Sequence, residues 1–188
     1  MRNSKSRLKA PSSSQIYSIS VRKRKLLAGE SSTGRPFTTY EVVCAHIWQR
    51  VTIAREVADK EKSRLFIGID IRGRFASYPQ YYFGNGAIFT SAIAPVAELK
   101  KERLSHTANL VQKAIADFKE DKVQAVLGFL SDKSKDYHCL RFNSVTDMVV
   151  RSSPRLRMYE TDFGWGRPIA VTFDIKLNHD GAILKYHF

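Results

Sequence analysis

Five histidines, two cysteines and one run of acid, aromatics and glycines are the residues of this chain that could do chemistry. The histidines (His46, His106, His138, His179 and His187) are scattered, and none has an aspartate four residues later. No two of them sit at metal-ligand spacing, so no metal site is assigned. Cys44 and Cys139 are far apart and form no CxxC pair, which reads as two free thiols. There is no glycine-rich phosphate loop and no GxSxG turn. No catalytic constellation emerges. What remains is Asp162-Phe163-Gly164-Trp165-Gly166. Its glycines permit positive φ and close approach of other segments. Its Phe and Trp each need a large pocket, and the indole N–H needs a partner. The run reads as a tight buried plug, and a buried carboxylate calls for a cation.

The elements that would position these residues follow from periodicity. Leu65–Asp70 reads as a buried strand, whose extended continuation puts Asp70, Arg72 and Arg74 on one face. Arg72, with Arg74 as second choice, is the expected partner of Asp162, because a guanidinium can make two parallel bonds to a carboxylate. Breaking such a pair would cost about 3–5 kcal/mol. Thr38 precedes Glu41 at capping-box spacing. Tyr40, Val43, Cys44, Ile47, Val51, Ala54 and Ala58 then form one apolar helical stripe, flanked by His46 and Trp48. After the aromatic turn Tyr81–Gly86 comes a strand over Ala87–Ile93, then helices set by Leu104–Phe118 and Val123–Leu130. The stretch Ser131–His138 is loop-like and Leu140–Val150 extended. Ile169–Ile175 and Ala182–Tyr186 read as a final strand pair. Strands mixed with helices indicate α/β or α+β.

The chain has 188 residues, 43% of them hydrophobic, which suits one domain with a real core. Its net charge is +13, and residues 1–25 hold eight basic residues and no acid. Residues 1–35 therefore read as a basic, partly disordered leader, with one alternating run at Ile16–Val21 that fits a strand. Arg22-Lys23-Arg24-Lys25 has the composition of a nuclear-import or nucleic-acid patch, although short basic runs are common. No apolar run is long enough to span a bilayer, and no charged-then-apolar leader opens the chain. The expectation is a cytoplasmic protein with no membrane partner.

Asp162-Phe163-Gly164-Trp165-Gly166 resembles the DFGWG signature of the plant BAHD acyl-CoA-dependent acyltransferases. Three further blocks agree in order. Thr38-Thr39-Tyr40-Glu41 through Ala45-His46-Ile47-Trp48 resembles the family's helix. Asp70-Ile71-Arg72-Gly73-Arg74, then Pro79 and Tyr82-Phe83-Gly84-Asn85, resembles its D-x-R-x-R…P…YFGN block. Ser153-Pro154, then Tyr159 and the plug, resembles the malonyltransferase-like branch that acts on phenolic or flavonoid glucosides. Gly86 departs from the Cys common after YFGN in that branch.

The resemblance implies an α/β fold: a two-layer α/β sandwich with a mixed sheet, one half of a chloramphenicol acetyltransferase-like fold. It implies that 36–188 is the second, C-terminal domain, short at its end, and that the first domain is absent. The family's catalytic base is the His of an HxxxD motif in that first domain, where it deprotonates the acceptor hydroxyl. No residue here inherits that role, so this chain alone is expected to be inactive. Acyl-CoA is implied as co-substrate, with no permanently bound cofactor, and a phenolic or flavonoid glucoside as acceptor. Thr38 and Thr39 lie where the family meets the CoA nucleotide end, with helix capping as the competing role. Ser152 and Ser153 face the acceptor or acyl channel, or serve as turn residues. Two other readings stay open: a non-catalytic relic or partner-binding protein, and a basic nucleic-acid-binding protein, the latter not expected.

Overall fold

The computed structural model describes residues 31, 34–132, 142–152, 158–169 and 182–185. Four helices and four strands are seen there. They run α1 (Thr39–Ala54), β1 (Lys62–Asp70), β2 (Ala87–Pro95), α2 (Val96–Lys101), α3 (Leu104–Ala116), α4 (Glu120–Ser131), β3 (Met148–Ser152) and β4 (Ala182–Lys185), with a 3-10 turn at Met158–Glu160. The strands form one mixed sheet in the order β2-β1-β3-β4. β1 and β2 are antiparallel over their full length, while β3 runs parallel to β1 and β4 parallel to β3. The basic leader up to residue 30, the Ile16–Val21 run, most of Ser131–His138, Ser153 and residues 170–175 of the first final strand lie outside the described residues.

β1 alternates as a strand with one buried face must: Ser63, Leu65, Ile67 and Ile69 are buried, while Arg64, Phe66 and Gly68 are half-buried. The buried face meets Trp48, Leu99, Ala108 and Val111 from α1, α2 and α3, with Met148 and Val150 of β3 alongside. A second, smaller cluster joins Ile69, Ile71 and Ile88 to Phe118 and Val123.

The helices and strands expected within the described residues are found, with three corrections. First, the buried face of α1 is turned from the expected stripe. Val43 and Cys44 are buried, but Ala54 and Ala58 are exposed, and Glu41, Ala45, Trp48, Gln49 and Thr52 take the interior. Glu41, Trp48 and Gln49 can sit there because each has a hydrogen-bond partner. Trp48 Nε1 donates to Ser63 Oγ at 2.7 Å, and Ser63 Oγ donates to the Thr146 carbonyl at 2.6 Å. Gln49 donates to Thr107 Oγ1 at 2.8 Å. Second, α2 has no counterpart in the sequence reading, being only six residues long and started by Pro95. Third, residues 143–147 turn before β3 begins at Met148, where the sequence suggests continuous extension.

Candidate functional site

The start of α1 is the best-built polar site among the described residues. Thr38 Oγ1 accepts from the Glu41 N–H at 3.2 Å, and Glu41 Oε2 accepts from the Thr38 N–H at 2.7 Å. This is the reciprocal capping box that the spacing predicts. Arg35 adds a fork to the same carboxylate, at 2.6 Å to Oε1 and 3.2 Å to Oε2. Glu41 is 2% exposed and Arg35 46%. The hydrogen bond to Glu41 raises the Arg35 pKa above its ordinary value. The anion that the helix N-terminus favours is thus Glu41 itself. Thr38 is exposed and keeps its own O–H as a donor, and Thr39 is half-buried beside it.

Behind this, α1 carries His46, half-buried, and Tyr40, whose phenol is pushed well up by burial first and by Cys44 second. Cys44 is a buried thiol beside that phenol. His106 lies on α3 with Nε2 3.4 Å from Glu98 Oε2, both partly exposed. His138, His179, His187 and Cys139 lie outside the described residues.

The expected ion pair between Asp162 and Arg72 is not formed. Arg72 pairs instead with Asp70, two residues back: Nε donates to Oδ1 at 2.9 Å and Nη2 to Oδ2 at 3.0 Å. That bond is the main reason the Arg72 pKa is raised. Asp70 and Arg72 reach each other because the extended form stops after Asp70. Gly73, at φ 65°, closes a turn in which its N–H donates to the Tyr78 carbonyl. Arg74, the second choice, donates to the Ile115 carbonyl in the last turn of α3 at 3.0 Å, where a cation also meets the negative end of the helix.

Asp162 needs no cation because its own loop supplies the donors. Oδ1 accepts from the Gly164 N–H at 2.7 Å and the Gly166 N–H at 3.0 Å. Both glycines have φ near +95°, the curl that brings their N–H groups round the carboxylate. The loop is not a buried plug: Phe163 is 79% and Trp165 93% exposed. Tyr81, Phe83 and Ile169 are exposed too. The segment holding Tyr81 and Phe83 leaves β1, and the one holding Phe163, Trp165 and Ile169 follows β3. Since β1 and β3 are parallel, both segments leave the same end of the sheet.

Ser152 closes β3, in register with Lys185 of β4. A pair that the sequence reading missed holds the other end of the same sheet. Asp147, its side chain 2% exposed, takes a fork from Arg64 (2.6 Å from Nη2) and a bond from the Asn143 N–H at 3.0 Å. The two residues are 83 apart in sequence, so no local spacing could reveal them. Beside them lies an open depression of about 530 Å³, lined by Lys60, Lys62 and Ile93 among others.

Residues 3–185 match the Transferase family over nearly the whole chain. The chain belongs to this family, that of the BAHD acyltransferases. It is 31% identical over 150 residues to rosmarinate synthase of Plectranthus scutellarioides, covering 78% of this chain and 35% of that protein. It is 31% identical over 174 residues to BAHD acyltransferase DCR of Arabidopsis thaliana, covering 91% of this chain and again 35% of the relative. The chain thus spans about a third of the length of the curated relatives it matches. Its fold is similar to that of F. sporotrichioides TRI101, solved with coenzyme A and T-2. The TM-score is 0.72 at 19% identity, covering 86% of this chain and 39% of that one. The mixed α/β fold expected from the resemblance, that of the CoA-dependent acyltransferases, is the one found. No helix among the described residues is long and apolar enough to cross a membrane.

Proposed function

We propose that this chain is the C-terminal part of an acyl-CoA-dependent O-acyltransferase that acylates a hydroxyl of a phenolic acceptor. The observation that carries the reading is the family match across residues 3–185. The ordered blocks ending in Asp162–Gly166 support it. Acyl-CoA is the co-substrate, and its phosphates meet the start of α1, where Thr38 O–H, Thr39 and the exposed side of Arg35 lie. The general base comes from an HxxxD histidine in a first domain, so the present 188 residues bind and shape without turning over. Ser152 and Ser153 line the channel for acyl group or acceptor.

The finer assignment is malonyl transfer to a phenolic or flavonoid glucoside, supported by Ser153-Pro154 ahead of Tyr159. The relatives' names favour aromatic acyl groups as well, such as the "Shikimate O-hydroxycinnamoyltransferase" of Nicotiana tabacum. The test supplies a first domain carrying HxxxD in trans and compares malonyl-CoA with p-coumaroyl-CoA, each against a flavonoid glucoside. The expected result is transfer only when both parts are present, with malonyl-CoA preferred. Robust turnover by this chain alone would place the base inside it and overturn the assignment. Preference for the aromatic donor would overturn the malonyl assignment only.

A second reading, a non-catalytic partner-binding protein, is favoured by the exposed Tyr81, Phe83, Phe163, Trp165 and Ile169. Under that reading a hydrophobic dye binds strongly to the isolated chain and is displaced by the first domain. Little dye binding counts against it.

A further inference from the structure

β2 is the outermost strand on its side of the sheet, and no described strand pairs with its far edge. Two hydrogen bonds fix which of its backbone groups face inward. Ile71 N–H donates to the Gly86 carbonyl at 2.9 Å, and Val96 N–H donates to the Glu61 carbonyl at 3.0 Å. Backbone groups of alternate residues face opposite sides of an antiparallel strand. Residues 88, 90, 92 and 94 therefore face β1, and Ala87, Phe89, Ser91 and Ile93 direct their N–H and C=O groups outward. The donors at both ends of this outward row are closed. Ala87 N–H donates to Asn85 Oδ1 at 3.2 Å, and Pro95 has no N–H. The outward donors of β2 are then those of Phe89, Ser91 and Ile93.

Long edge strands are normally protected by charge, by a bulge or by brevity. β2 has none of these over its nine residues: Ala87–Pro95 carries no charged side chain, and its ladder with β1 is unbroken. Phe89 and Ile93 stand on the sheet face opposite the helices, 40% and 54% exposed. The groove beside the edge is lined by Lys113 and Asp117 of the α3 side, one of each sign, so it brings no like-charge excess to a symmetric contact.

We propose that two copies of this chain pair through β2, antiparallel, about a twofold axis at Ser91. This register is self-complementary. Ser91 faces Ser91 of the second copy, and Phe89 faces Ile93. All three outward donors of each copy meet outward carbonyls of the other. Shifting the register by one residue would set outward groups against inward ones. The same register stacks an aromatic on a β-branched residue twice over, a favourable cross-strand pair. The result is one eight-stranded sheet across two molecules, with the helices on one face. The inference is independent of the acyl-transfer reading.

Sedimentation of the full chain over a wide concentration range, with amide exchange at low and high concentration, tests this. The expected result is a dimer that dissociates on dilution, with the Phe89, Ser91 and Ile93 amides gaining protection as it forms. Ser91→Pro removes one outward donor and leaves the bonds to β1 in place, since proline is tolerated on an edge. It should weaken dimerisation at least tenfold without changing the circular dichroism spectrum. Ile93→Lys should do the same by charge, and serves if Ser91→Pro fails to fold. A chain monomeric at every concentration overturns the proposal. So does a dimer unmoved by either folded variant, or full protection of the three amides in the monomer, which would mean the chain covers its own edge.

Discussion

Asp162 and Asp147 carry the same charge and meet it in opposite ways. Asp162 is exposed and held by two N–H groups of its own loop. Asp147 is buried, and Arg64 supplies the counter-charge from across the sheet. Removing one partner of a buried pair strands the other, whereas an exposed acceptor is replaced by water. Asp147→Ala should therefore cost about 1–3 kcal/mol, and Asp162→Ala about 1 kcal/mol or less. Chemical denaturation of both variants measures this, and a larger loss at Asp162 would return it to a load-carrying ion pair. Asp59 offers a pH test. Its carboxyl is held below its ordinary value of 3.8, first by the hydrogen bond from Lys100 and then by that residue's charge. Lys100 Nζ lies 2.7 Å from Asp59 Oδ1. The pair's contribution is complete above the ordinary value and is lost as pH falls through the depressed one. A carboxyl NMR titration should give a midpoint below 3.8 that rises in Lys100→Met. An unmoved midpoint would remove Lys100 as the cause.

At the scale of elements, the capping box was legible because both halves lie within four residues, Thr38 and Glu41. The turn after β1 was not. Extended periodicity would have spread Asp70, Arg72 and Arg74 along one face, but Gly73 and Gly86 fold the segment back. Gly86 is the more demanding of the two. A Cβ there would sit 2.6 Å from Arg72 Cγ and 2.8 Å from Cδ, so Arg72 can lie along the backbone to reach Asp70 only because Gly86 has no side chain. Gly86→Ala should displace Arg72 and break its fork to Asp70. A double-mutant cycle checks it: Asp70→Asn should cost measurably less in the Gly86→Ala background than in the parent. Full additivity would mean the two are uncoupled. The plug was misread for a related reason. Two aromatics in five residues suggest burial, but with both glycines at positive φ the loop satisfies its acid alone and leaves Phe163 and Trp165 outside.

Across the whole molecule, burial is unevenly shared. The large cluster ties α1, α2 and α3 to β1, β2 and β3 through Trp48, Leu65, Ile67, Leu99, Val111 and Val150. Strand and helix order was legible here because each apolar face repeats at its own period. The polar pairs that cross it, Gln49 to Thr107 and Trp48 to Ser63, join residues with no local signal between them. α4 hangs from the smaller cluster, and Val123 is its only fully buried side chain. Val126 and Leu127 pack beside it only partly buried, and two further bonds are exposed: Ser77 to Glu120, and Gln124 to the Tyr78 hydroxyl at 3.4 Å. Few buried contacts and solvent-facing bonds mark a segment that opens before the global transition. Amides of α4 should therefore exchange at a lower free energy than those of β1 and α1. Val123→Ala should lower that local value by about 1–3 kcal/mol, while protection in β1 changes little. If α4 and β1 exchange with the same free energy, and both fall together in Val123→Ala, then the small cluster belongs to one cooperative unit with the large one.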